Sequence, residues 1–370
     1  MSKVQTYMFV GGCNRPTPYF ASSNSKGIAT FAFDEETART ELLGITEGID
    51  NPTFLIVDAR RRKLYANSEV MAWNEGTVSA YDIDPATGSL SYINKQPTLG
   101  NAAAQMSLDR AGRFLLAANY GLNATTERPN RSIAVLPIRS DGGLDPAAAS
   151  ATHTGKTGPQ ADRQERPHAH ATLASLNNRF IVASDLGLDQ LVVYRFDAAT
   201  GNIVRIGETA LPPGSGPRHF VFHPSGGMAY LVNELNSTVV SLSFDEESGR
   251  MAMLATAPTA LPETLAYNRC SEIQLSLNGQ ILYIGNRGND NLAIFRLGAA
   301  GALMPMGTVP SGGKTPRHLA FDPSGRFVAV ANQDSDRVSF FSVDPDDGKL
   351  TPINRDISVG TPTSISFCRL

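Results

Sequence analysis

One phrase constrains this chain more than any other. TPRHLAFDPSG at Thr315–Gly325 restates GPRHFVFHPSG at Gly216–Gly226, 99 residues earlier. Cognates follow through the whole length: NPTFLIVDARRRKLYANSE from Asn51, AAAQMSLDRAGRFLLAANYG from Ala102, HAHATLASLNNRFIVASDLG from His168 and NRCSEIQLSLNGQILYIGNRG from Asn268, with TPTSISFCRL closing the sequence. The position held by Pro316 recurs at Pro52, Ala103, Ala169, Pro217, Cys270 and Pro362, at spacings of 51, 66, 48, 53, 46 and 46. A period this regular outweighs the usual expectation of two or three domains for 370 residues.

Each unit reads as an alternating strand, a polar turn (DPSGR), a second strand (RFVAVAN), a third (RVSFFSVD), another turn and a fourth strand (KLTPI). Four antiparallel strands repeated about every 50 residues predict an all-β fold, a seven-bladed β-propeller, as one domain over residues 1–370. The chain begins with YMFVGG, GIATFAFDEE and ARTELLGI, a blade lacking its first strand. TPTSISFC supplies that strand, so pairing of the N- and C-terminal strands closes the ring.

First and second strands of a blade form a hairpin, so the start of one and the end of the other share a face. That face collects Arg317, His318, Asn332 and Gln333 of blade six, Arg218, His219, Asn233 and Glu234 of blade four, Ser271, Glu272, Asn286 and Arg287 of blade five, and His170 and Asp185 of blade three. Four of the six histidines, His168, His170, His219 and His318, fall in this ring. Two long connections, GLNATTERPNR within blade two and HTGKTGPQADRQERP before blade three, are expected to overhang the same mouth, bringing Arg128, Arg131, Lys156, Arg163 and Arg166. Structural roles compete at several positions. The recurrent Asn119, Asn233, Asn286 and Asn332 suit turn or blade-to-blade hydrogen bonds, His223 replaces a turn aspartate, and Arg218 with Glu234 could be a structural ion pair.

The formal net charge of −3 and 18% charged residues exclude a nucleic-acid surface, and 41% hydrophobic residues suffice for a core. No apolar run approaches the roughly 20 residues of a membrane span, and MSKVQTYMFV lacks signal-peptide character, so the cytoplasm is expected and no membrane partner is. Cys13, Cys270 and Cys368 make neither a disulfide framework nor a zinc signature, and the His168-x-His170 pair lacks partners for a metal site. Neither metal nor cofactor is expected. Oligomeric state stays open.

RQERPHAH, SDLGLDQL, GPRHFVFHPSG, VNEL, SEIQLS, GNRGNDNLAIF and PRHLAFDPSGRFVAVANQDSD, in this order at blade spacing, resemble the seven-bladed lactonase family, which includes propeller-type 6-phosphogluconolactonases and carboxy-muconate lactonizing enzymes. The resemblance implies a functional cluster of His170, Arg218, Glu234 and Arg287, with Arg163 and Gln164 nearby. Gln274 and Ala169 depart from the family pattern, standing where it commonly has a histidine and a proline. The expected function is hydrolysis of an anionic sugar lactone, with 6-phosphogluconolactone as implied substrate. His170 or Glu234 would act as base, while Arg218 and Arg287 would hold the phosphate and the developing oxyanion. His168, Arg163, Gln164, His219, Glu272, Arg317, His318 and Gln333 complete the expected substrate-binding ring. A cycloisomerase closing a carboxy-muconate, a polycarboxylate, asks for the same parts and is left open, as is a non-catalytic scaffold, against which the charged mouth argues.

Overall fold

The computed structural model describes residues 4–17, 20–121 and 130–370. Seven antiparallel sheets form the blades of a propeller, six following chain order from the axis outward and the seventh placing the chain's last strand at the axis before its first three. Their inner strands are Leu55–Asp58, Ala103–Leu108, Ala169–Ala174, Pro217–Phe222, Arg269–Leu275, Pro316–Phe321 and Pro362–Arg369. Each contacts the inner strands on both sides, and the ring closes on itself. In blade seven Pro362–Arg369 pairs with Thr6–Gly12, from Thr6 opposite Arg369 to Gly11 opposite Ser364, so the two ends of the chain share one sheet. Blade six departs from four strands: its outer edge is split into Leu350–Pro352 and Ile357–Ser358, both paired with Arg337–Val343. Pro352 lacks a ladder donor and Asn354 turns left-handed at φ 50°, which interrupts that edge. Among the described residues no helix is long and apolar enough to cross a membrane.

The core is divided among the interfaces between blades. Seven apolar clusters occur, one for each neighbouring pair, such as Phe180 and Val182 against Phe220 and Leu231, or Met8 and Phe31 against Phe327 and Phe340. Burying one such side chain contributes about 1.5–3 kcal/mol, so each interface is a stabilising unit. The recurrent asparagines tie each blade to the segment entering it. Asn119, Asn286 and Asn332 donate through Nδ2 to the carbonyls of Thr98, Thr259 and Ser311, at 2.9, 2.8 and 3.0 Å. Asn233 instead donates to Thr238 Oγ1 at 2.9 Å. His223 is architectural, with Nδ1 2.6 Å from Ser225 Oγ and Nε2 3.0 Å from the Gly279 carbonyl.

One irregularity positions the site. The register between inner and second strands shifts just inside the mouth in five blades, between Ala103 and Gln105, Ala169 and Ala171, Pro217 and Phe220, Cys270 and Ile273, and Pro316 and His318. His170, Arg218, His219, Ser271, Glu272 and Arg317 fall within these bulges. A bulge suspends strand alternation, so neighbouring residues can both turn inward.

Candidate active site

Glu234 directly follows the second strand of blade four, Met228–Asn233, and is almost fully buried. Its Oε1 accepts from Arg163 Nη2 at 2.5 Å, and its Oε2 lies 3.1 Å from Arg218 Nε and 3.0 Å from Arg287 Nη2. Burial opposes the carboxylate charge, but Arg287, Arg163 and Arg218 outweigh it and hold Glu234 well below the usual carboxylate range. Arg218 also donates to the Ser271 carbonyl, and Arg287 to that of Cys270 at 2.8 Å, so the cluster spans blades four and five. Burial, then Arg287, pulls the Arg218 guanidinium down to about 9, still cationic near neutrality.

Arg163 arrives from the connection between blades two and three, which is pinned to blade three. Gln164 Nε2 donates to the Leu186 carbonyl at 2.8 Å and Gly158 N to that of Gly187 at 2.9 Å. Gly187 must be glycine, because a Cβ there would lie 1.7 Å from the Arg166 carbonyl oxygen. Arg163 Nη2 also reaches the Tyr120 hydroxyl at 3.1 Å, and Glu234 raises its pKa further.

His170, Arg163, Arg218, Glu234, Arg287 and Arg317 line one cavity together with Phe20, Glu69, Met71, Tyr120 and Arg269. Five guanidinium groups face two carboxylates there, so the cavity is electropositive. Arg317 stacks over the Phe20 ring at 4.6 Å and donates to Gln333 at 3.4 Å. Glu69 accepts from Thr53 Oγ1 at 2.6 Å, and burial raises its pKa against the pull of Arg317. His170 is 6% exposed and packs edge-on to Tyr120, with ring centroids 5.6 Å apart. An exposed imidazole titrates near 6.5; burial first, then Arg218 and His219, lowers His170 well below that, so it is neutral at physiological pH.

Six residues of the expected substrate-binding ring stand elsewhere. His168 braces Tyr120, stacking on its ring at 4.3 Å with Nδ1 2.7 Å from its carbonyl and Nε2 3.1 Å from Glu165 Oε2. Gln164 fixes the connection described above. Gln333 supports Arg317 and donates to Asp334 at 2.8 Å. His219, Glu272 and His318 form a separate buried cluster beside His170. The reason is the bulge: adjacent residues of one inner strand turn to different partners, Arg218 to Glu234 and His219 to Glu272. Of the loop cations, Arg166 pairs with Glu165 at 2.9 Å and Arg131 reaches Thr152 Oγ1 at 3.3 Å; Arg128 lies outside the described residues.

Tyr120, Glu69 and Arg269 are additions that the repeat could have supplied. Tyr120 follows Asn119 as Glu234 follows Asn233 and Arg287 follows Asn286, while Glu69 stands one place further along in blade one. Arg269 opens the inner strand of blade five. Phe20 and Met71 carry no such signal.

A family model described as a 7-bladed beta-propeller lactonase matches residues 7–367. A 6-phosphogluconolactonase of Bacillus subtilis is 31% identical over 94% of this chain and 96% of its own length. One of Formosa agariphila is 30% identical over 97% and 99%. Among solved structures, a putative 6-phosphogluconolactonase from Bacteroides fragilis superposes with a TM-score of 0.86 at 31% identity, covering 98% of both chains. The periplasmic gluconolactonase of Pseudomonas aeruginosa gives 0.87 at 30%, covering 98% and 99%. With the blade count, the closure and the charged mouth agreeing, the chain belongs to the seven-bladed β-propeller lactonase family.

Proposed function

We propose that this cavity hydrolyses an anionic sugar lactone, and that the reaction is the opening of 6-phosphogluconolactone to 6-phosphogluconate. The observation that carries this reading is the set of five guanidinium groups around a buried, neutral His170. Arg269 and Arg317 make no ion pair with a carboxylate among the described residues, and they meet the phosphate. Arg287 has a buried Nε–H with no partner among the described residues, and with Arg218 it stabilises the negative charge that grows on the carbonyl oxygen. His170 takes a proton from water as the oxygen of that water bonds to the carbonyl carbon. The ring C–O bond then breaks, and the same proton passes to the departing ring oxygen. Glu234 stays ionised throughout and holds Arg163, Arg218 and Arg287 in place.

The names of the relatives support the phosphorylated substrate, and three buried, unpaired thiols suit a reducing cytoplasm. The test is proton release on opening of freshly made 6-phosphogluconolactone, measured against an enzyme-free control because such lactones open spontaneously. Acceleration by purified protein supports the reading. No acceleration, or conversion of a carboxy-muconate instead, overturns it.

A further inference from the structure

The mechanism above leaves a buried chain of imidazoles beside His170 unused. His219 Nδ1 lies 3.0 Å and His318 Nε2 3.3 Å from the same oxygen, Glu272 Oε2. Glu272 Oε1 accepts from the Ile273 N–H at 3.0 Å, and His318 Nδ1 accepts from the Ile365 N–H at 3.3 Å. Burial opposes the Glu272 charge, but His219, His318 and Arg218 hold its pKa at about 2.

These contacts assign protons. A ring nitrogen that accepts from a backbone N–H carries none, so His318 holds its proton on Nε2, 3.3 Å from Glu272 Oε2. An ionised Glu272 can only accept, so His219 is protonated on Nδ1 and its Nε2 is a lone pair. That Nε2 is buried without a partner among the described residues. So is Nδ1 of His170, in the neighbouring blade, with the two ring centroids 5.0 Å apart. Two orphans on neighbouring buried rings call for a shared partner able to donate to one and accept from the other.

We infer that a water molecule bridges His170 Nδ1 and His219 Nε2, making His219 and Glu272 positioning residues that hold His170 with its proton on Nδ1 and its Nε2 free for catalysis. The chain runs from His170 Nδ1–H to the water oxygen, from water to His219 Nε2, and from His219 Nδ1–H to Glu272. Each ring N–H of this chain meets an acceptor. When His170 takes a proton on Nε2, its Nδ1–H remains in this chain, no proton leaves it, and the Glu272 charge offsets the imidazolium. Such an offset is needed, because Arg218, Arg317 and His219 oppose a positive His170 and Glu234 alone favours it. Tyr120, Glu69, Arg163, Arg269 and Arg287 also face the cavity that His170 lines.

The role given to His170 rests on the lactonase reading; the hydrogen-bond chain does not. Histidine 15N NMR of the full chain should show His170 and His219 as Nδ1–H tautomers and His318 as Nε2–H, and a crystal structure should place a water within hydrogen-bond distance of both orphans. Glu272→Gln keeps an acceptor but removes the charge. Its kcat should fall about tenfold, less than the range for losing a general base, with KM within about threefold and the acid limb of kcat/KM moved to lower pH. His219→Gln should lose kcat similarly, and Glu272→Asp should retain most of it. A merely structural role would lower the yield of folded protein and leave the limb in place. An Nε2–H tautomer at His170, or an unmoved limb in Glu272→Gln, overturns the inference. If the unmutated protein opens no lactone, the functional reading fails while tautomers and water still decide this one.

Discussion

Arg163 and Glu234 lie 71 residues apart in sequence, yet Nη2 of one stands 2.5 Å from Oε1 of the other. The pair fastens the connection between blades two and three across the mouth to blade four. Losing one hydrogen bond to a charged group costs about 2 kcal/mol. Arg163→Ala should therefore lower kcat/KM about 30-fold and barely move Tm, because Arg163 lies on a surface connection outside every core cluster. Steady-state kinetics beside a thermal melt check this, and an equal loss of Tm would refute it.

Glu234→Gln and His170→Gln should give opposite patterns. The glutamine at 234 leaves three guanidinium groups crowded without their anion, and breaking a buried ionic group in this way costs about 3–5 kcal/mol. Denaturant unfolding should report that loss. His170 Nδ1 has no protein partner among the described residues, so no blade-to-blade hydrogen bond rests on it. Its replacement should leave the unfolding midpoint nearly unchanged and lower kcat about 100- to 10,000-fold. A stable Glu234→Gln protein would mean that the arginines do not depend on it.

The sequence carries the ring but not its register shifts. A period near 50 residues survives because each blade must present the same apolar faces to its neighbours, so blade number, closure and the angular positions of His170, Arg218, Glu234 and Arg287 are readable from spacing alone. The bulges are not. Strict alternation would send Arg218 and His219 to opposite faces, whereas the register shift between Pro217 and Phe220 turns Arg218 to the cavity and His219 to Glu272. Without the register shifts at these strands, His219, Glu272 and His318 read from sequence as members of the same ring as His170.

Stability should fall on mild acidification. His219 is lowered from 6.5 to about 4, chiefly by burial, and burial likewise lowers His170 and His318. A base depressed in the folded state binds more protons when unfolded, so its contribution is full above the unfolded value near 6.5 and is lost as pH falls toward the folded one. Each such histidine should add a slope of about 1.4 kcal/mol per pH unit within that window. Denaturant unfolding between pH 7 and pH 5 should show the decline, and His219→Gln should make it shallower. A flat profile would mean that the histidines are solvated.

Removal of residues 361–370 should abolish cooperative folding. Pro362–Arg369 is the inner strand of blade seven, it contacts the inner strands of blades one and six, and its Ile365 packs into the cluster between blades six and seven. Thr6–Gly12 would lose its ladder partner along nearly its whole length. Circular dichroism melts decide the matter, and an unchanged sharp transition would show that closure is dispensable.

The arginines of the cavity should separate by substrate. Arg269 donates through Nη1 to the Asn268 and Ala266 carbonyls, at 2.7 and 3.4 Å, and Arg317 leans on Phe20 and Gln333. Neither is neutralised by an ion pair, so their charge is available to a ligand dianion, and a phosphate accepts such hydrogen bonds well. Arg287 is instead tied to Glu234 and keeps one buried N–H without a partner among the described residues. Arg269→Ala and Arg317→Ala should each raise KM for 6-phosphogluconolactone about 10- to 100-fold, the range expected for one charge-assisted contact, and change KM for unphosphorylated gluconolactone little. Arg287→Ala should lower kcat on both lactones, because a growing oxyanion is common to them. If Arg269→Ala and Arg317→Ala impair both substrates equally, the phosphate is not what these two groups hold, and the ligand's second charge must lie elsewhere in the cavity.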